Sequence, residues 1–248
     1  MSRVYKNPPL IEAICAFQFE PGQAWDWTVP GLFYARIRDE FPERAEQQMM
    51  QVGFGAGQSV SPPTMSVSRV QFLRKDRTAL IQVGPNVLTV NHLSPYPTWE
   101  QFREIIFRNL DLYVEIAQPN SVTSINLRYI NRIEVPGLEV EKGIDIGDYM
   151  VAVPGVPHQL LREPMSQFIQ RVEIPMSQAG ATLILQSGSL PPEREGVYSF
   201  LLDLEVVTNL TKPVSFDHVR DWVTQAHSEL NGAFEACITD QLRQLFEE

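Results

Sequence analysis

Apolar and polar positions along the chain change period several times, and each change predicts an element. After the turn residues Asn7-Pro8-Pro9, residues 10–19 read as a first strand, with Ile14, Ala16, Phe17 and Phe19 among its apolar positions, and Glu20-Pro21-Gly22 stops it. Pro30 and Gly31 then open a short amphipathic helix over residues 32–41, where Leu32, Phe33, Ile37 and Phe41 fall near helical spacing and Pro42 closes the segment. Residues 47–68 turn polar and small, with Gly53, Gly55, Gly57, Pro62 and Pro63, which predicts a long loop. Residues 70–73, 78–83 and 87–93 follow as an antiparallel meander, its turns at Arg74 to Arg77 and at Gly84-Pro85-Asn86.

Thr98 with Gln101 three residues on has the form of a capping box, ahead of Phe102, Ile105, Ile106, Leu110, Tyr113 and Ile116, so a long helix is expected. Past Pro119-Asn120, residues 122–135 predict a long strand ended by Pro136-Gly137. Residues 137–164 read as a crossing segment with one short helix around 144–150. Three more strands are expected over 168–174, 181–186 and 198–207. Ser215 caps a last helix whose apolar positions run from Val219 and Val223 through Leu230 to Leu242, with Gly232 as its point of bending or division.

The fold class is therefore α+β, with mainly antiparallel sheet covered by two long amphipathic helices. Two halves, 1–120 and 121–248, each run strand, crossover element, antiparallel strands, long helix. That order fits a tandem duplication within one compact unit, although a helix-on-sheet layer arises without duplication too.

Composition narrows the class. Apolar residues at 44% and charged residues at 20% exclude a disordered chain. No apolar run reaches the ~18 residues that span a bilayer, and Glu12 interrupts the one stretch near the start that could serve as a secretory signal. A cytoplasmic protein is expected. The net charge of −10 repels phosphate backbones and argues against nucleic acid; it suits a basic protein partner, or solubility alone. Cys15 and Cys237, far apart and outside any Cys/His pattern, read as buried thiols, and the spacing of His92, His158, His218 and His227 predicts no metal site. No cofactor motif is present: Gly53-Phe54-Gly55-Ala56-Gly57 lacks the Lys and Ser or Thr of a phosphate-binding loop.

Tyr5-Lys6-Asn7-Pro8-Pro9-Leu10-Ile11-Glu12-Ala13, the central Leu127-Arg128-Tyr129-Ile130-Asn131-Arg132-Ile133 and the closing segment from His227 to Phe246 together resemble a sporadically distributed bacterial family of uncharacterised proteins of about this length. The resemblance covers the start, middle and end of the chain in order. It implies a bacterial, cytoplasmic protein carried in accessory or mobile gene clusters, and it transfers no catalytic residue.

The chemistry that remains lies on two predicted strands. Alternation places Arg128 and Arg132 on one face of the central strand, and Asp203 and Glu205 on one face of a later one. Were the strands neighbours, these charges could pair across them; left unpaired, they form a candidate ligand-binding group in which Arg offers its planar donor fork. Ser187 and Ser189 flank Gly188 without forming a nucleophile elbow, and Trp25, Trp27, Phe33 and Tyr34 read as core beneath a helix or as a stacking surface. The expected function is a non-catalytic interaction or regulatory protein, with a protein partner or self-association. The alternatives are a small-molecule sensor with a cleft between the halves and, last, an enzyme with a dispersed active site.

Overall fold

Burial in the computed structural model follows the sequence periods over the residues it describes, 5–51, 64–137, 144–160, 167–176, 180–208 and 215–247. The elements are β1 (Leu10–Glu20), α1 (Thr28–Ile37), β2 (Glu43–Gln51), β3 (Thr64–Leu73), β4 (Ala79–Gly84), β5 (Val87–Leu93), α2 (Trp99–Ala117), β6 (Ser121–Pro136), β7 (Ile169–Met176), β8 (Ala181–Leu190), β9 (Val197–Thr208), α3 (Phe216–Cys237) and α4 (Asp240–Leu245). Between β6 and β7 lie 3-10 turns at Ile146–Asp148 and His158–Leu160. The strands form one antiparallel sheet in the order β2-β3-β4-β5-β1-β6-β9-β8-β7.

The chain divides into two compact units, one of residues 15–124 and 212–216, the other of residues 1–14, 125–211 and 217–248. In the first unit Phe17, Phe33, Phe41, Phe72, Ile81, Leu88, Phe102 and Ile106 are fully buried, with Phe33 stacked on Phe72 at 6.0 Å and Phe19 on Tyr113 at 4.7 Å. Each such ring removed from water contributes about 1.5–3 kcal/mol. The second unit buries Ile125, Leu127, Ile133, Val135, Leu202, Leu204 and Val206 from its sheet against Val219, Val223, Leu230 and Leu242 from its helices. Within each unit the first strand borders the last strand of the meander, β1 beside β5 and β6 beside β9, and a long amphipathic helix follows.

Among the described residues there are four α-helices, of which α2 at 19 residues and α3 at 22 are the longest. Helix α1 begins at Thr28, ahead of the expected Leu32, because the Asp26 carboxylate accepts the Thr28 N–H at 2.8 Å and Pro30 lies in a first turn that needs no N–H. The expected loop over 47–68 gives way at both ends to β2 and β3, paired antiparallel with a register shift between Gln47 and Gln48. Its middle, residues 52–63 with the Gly53 to Gly57 motif, lies outside the described residues. The last helix divides at Ile238 and Thr239, not at Gly232, which stays helical. There the Thr239 hydroxyl accepts the Leu242 N–H, starting α4, while the Thr239 N–H donates to the Tyr149 carbonyl at 3.0 Å.

Candidate functional site

Strand β6 alternates over its length, with Ile125, Leu127, Tyr129, Asn131, Ile133 and Val135 buried toward the helices. Asn126, Arg128, Ile130, Arg132 and Glu134 therefore point to the open face of the sheet. Its neighbour β9 runs antiparallel with Arg128 opposite Glu205, Ile130 opposite Asp203 and Arg132 opposite Leu201. Sequence alternation brings these four charged residues to one face of adjacent strands, but their partners are not simply cross-strand.

Arg128 reaches past the residue opposite it to close a bidentate pair on Asp203. Its Nε donates to Oδ1 at 2.8 Å and its Nη2 to Oδ2. Asp203 is 5% exposed and the Arg128 side chain 37%, so one carboxylate is nearly dry while the guanidinium keeps an edge in water. The pair holds the guanidinium's pKa above its ordinary value, chiefly through the hydrogen bond to Asp203. Glu205 accepts a hydrogen bond from the Asn126 amide instead. Burial pushes the Glu205 carboxyl above its ordinary range, with the nearby Arg128 charge opposing that shift.

Arg132 pairs with neither Asp203 nor Glu205. Its Nη2 donates to the Pro191 carbonyl at 2.6 Å and to the Ser199 hydroxyl at 3.4 Å, and its Nε lies 3.3 Å from Glu193 and 3.7 Å from Glu134. Arg194 approaches the other oxygen of Glu134 at 3.1 Å. The two arginines thus head two separate clusters, one on β6 and β9 and the other at the β8–β9 turn. In register across β9 and β8, Asp203 is followed by Gln186 and then by Arg171 on β7, so the polar stripe continues to the edge of the sheet.

One acceptor in the first cluster has no donor among the described residues. The Asn126 Oδ1 is buried and has no hydrogen-bond partner among the described residues. A buried acceptor left without a donor costs about 1–3 kcal/mol, so a donor supplied from outside would be favoured there.

A second constellation lies on the helix side of the same unit. The Tyr129 hydroxyl is 2.7 Å from His227 Nδ1, and the other ring nitrogen of His227 is 3.0 Å from the Asn231 amide. His227 and Asn231 lie four apart on one face of α3, a spacing that could have signalled the pair, whereas nothing in the sequence links them to Tyr129. The remaining sequence candidates are structural. Ser187 is buried and donates to the Ala152 carbonyl at 2.8 Å, and Ser189 accepts the Phe168 N–H. Cys15 and Cys237 are free and buried, and burial raises both thiol pKa values, that of Cys237 to about 11. Phe33 is core, while Trp27 is half exposed and meets Trp25 edge-on at 5.8 Å. Among the described residues no cluster of His, Cys, Asp and Glu could hold a metal ion. No family model matches the chain, and no curated protein matches it.

Proposed function

We propose that this chain is a non-catalytic interaction protein, a regulatory partner in the bacterial cytoplasm carried within an accessory or mobile gene cluster. One observation carries the reading: Arg128 is locked by two hydrogen bonds onto a nearly dry Asp203, so the open face presents a fixed pattern of charge. A preset pattern of alternating sign selects a complementary partner and speeds its approach. The cluster's groups are also committed to one another, which favours recognition over proton transfer or attack. The resemblance of the opening, central and closing segments to a sporadic bacterial family supports the genetic setting. The shared connectivity of the two units, first strand beside last strand and then a long helix, supports their origin by duplication.

The test is co-purification with the products of neighbouring genes, comparing the natural chain with the double variant R128Q/D203N. That variant removes both charges while keeping polar groups of similar size, so the fold should persist. A partner retained by the natural chain and lost from the variant is the expected result; identical retention by both chains would refute the role of this face.

The unfilled Asn126 acceptor beside Glu205 favours a second reading, a sensor whose small ligand donates a hydrogen bond there. Ligand bound at a hundred times its Kd stabilises a fold by about 2.7 kcal/mol, so a thermal-shift screen of metabolites and nucleotides finds it or rejects it.

A further inference from the structure

Among the described residues the sheet ends at β7. Its place in the strand order is at one edge, and among the described strands it is hydrogen-bonded to β8 alone. Both of its faces meet solvent. Ile169 is 76% exposed, Val172 44% and Ile174 43%, and Arg171, Glu173 and Pro175 are exposed between them. An edge with apolar β-branched residues is a template for another strand, and natural chains blunt such edges with lysines, bulges or a covering element. The described part of β7 has no lysine, and Pro175 alone limits its length.

Its backbone polarity can be read from its neighbours. The Ser189 N–H donates to the Phe168 carbonyl, so the even-numbered residues of this strand turn their backbone groups toward β8. The odd-numbered ones, Ile169, Arg171, Glu173 and Pro175, turn theirs outward. Pro175 falls in that outward set, where its missing N–H costs the sheet nothing.

We infer that two copies of the chain associate by antiparallel pairing of β7 with β7 about a twofold axis at Val172. In this register Arg171 lies opposite the second copy's Glu173 and Glu173 opposite the second copy's Arg171. Each such pair exchanges both backbone hydrogen bonds, and the Ile169 N–H reaches the second copy's Pro175 carbonyl. Val172 meets its own copy across the axis, and Ile174 covers the second copy's Gln170. Charge selects this register over its neighbours. Centring the axis on Arg171 sets arginine against arginine, centring it on Glu173 sets glutamate against glutamate, and like charges directly opposite destabilise a strand pair. The intrastrand contact of Arg171 with Glu173, 2.9 Å between Nη2 and Oε1, already holds both side chains in the positions from which they can be shared. An interface of one strand pair is small, so the dimer is weak and depends on concentration. The inference is independent of the role proposed for Arg128 and Asp203.

The test combines sedimentation over a dilution series with site-directed cross-linking. The natural chain is expected to shift from monomer to dimer with concentration. R171E and E173R should each weaken the dimer by at least about tenfold, and the double variant R171E/E173R should restore it, because its pairs are again of opposite sign. Both substitutions are on exposed side chains, and circular dichroism verifies that the fold is unchanged. V172C should form a disulfide-linked dimer under mild oxidation, since the natural Cys15 and Cys237 are buried. I174C is the control: it is as exposed as position 172, but its counterpart in the second copy faces Gln170 instead. A natural chain that stays monomeric up to its solubility limit overturns the inference. So does a double variant as weak as the singles, or an I174C chain that cross-links as readily as V172C.

Discussion

Glu205 shows how burial of a single residue on the open face ties part of the fold's stability to pH. Burial raises its pKa above the ordinary glutamate value of 4.5, even though Arg128 stands opposite and pulls the other way. A carboxyl with a raised folded-state value binds its proton more tightly in the folded chain than in the unfolded one. Stability from this group is therefore fully present below the ordinary value and is lost as pH rises through the raised value. Replacing it by glutamine keeps an acceptor for the Asn126 amide and removes the charge that burial penalises. We expect Glu205→Gln to raise the urea midpoint at neutral pH and to leave it almost unchanged below the ordinary carboxyl range. A loss of stability at neutral pH would mean that attraction to Arg128 outweighs burial. The same residues mark what sequence alone can say of the site. Alternation is enough to set Arg128, Arg132, Asp203 and Glu205 on one face, because period two is local. It cannot tell that Arg128 bypasses Glu205 for Asp203, nor that Arg132 is taken by Pro191, Ser199 and Glu193, because those partners depend on strand register and on the path of a turn.

At the scale of elements, α2 was the most legible because its signals are local and agree. Thr98 Oγ1 accepts the Gln101 N–H at 3.4 Å, the Gln101 side chain accepts the Thr98 N–H at 3.3 Å, and the apolar residues Phe102, Ile105, Ile106, Leu110 and Tyr113 are buried along one stripe. Thr98→Ala removes the cap and should cost about 1 kcal/mol in a urea melt, whereas Gln101→Ala, which spares the hydroxyl, should cost less. Equal losses would mean that the glutamine carries the box. Strand β2 and the first part of β3, which overlap the expected loop over 47–68, are hidden for the opposite reason. Glu43 to Gln51 is rich in Glu and Gln, and an outermost strand has only one neighbour to demand apolar alternation, so its composition reads as loop. The end of α3 was misplaced because Gly232 is a strong local breaker by propensity, while the actual break depends on a distant contact. Met150 bridges Ile238, and the Val151 N–H donates to the Cys237 carbonyl at 2.8 Å, drawing the chain out of the helix there. Tertiary pairing overrode a propensity worth about 1 kcal/mol.

For the whole molecule, the two thiols are natural reporters, because each belongs to a different compact unit. Cys15 is wholly inaccessible in β1, and Cys237 is 6% exposed at the last residue of α3. Only the thiolate reacts with alkylating reagents, so reactivity falls with burial and with a raised pKa together. Both act more strongly at Cys15, whose thiol is pushed further up than that of Cys237 at about 11. Position in the fold points the same way: a helix end frays at little cost, whereas exposing a central strand requires the sheet to open. Iodoacetamide labelling of the native chain, followed by peptide mass spectrometry, should modify Cys237 first, with Cys15 labelled only at urea concentrations that open its unit. Simultaneous labelling of both in the absence of urea would show that the helix end is held as firmly as the sheet. Labelling of Cys15 first would place the weak point of the molecule in β1, contrary to the packing of Phe17 and Phe19 beside it.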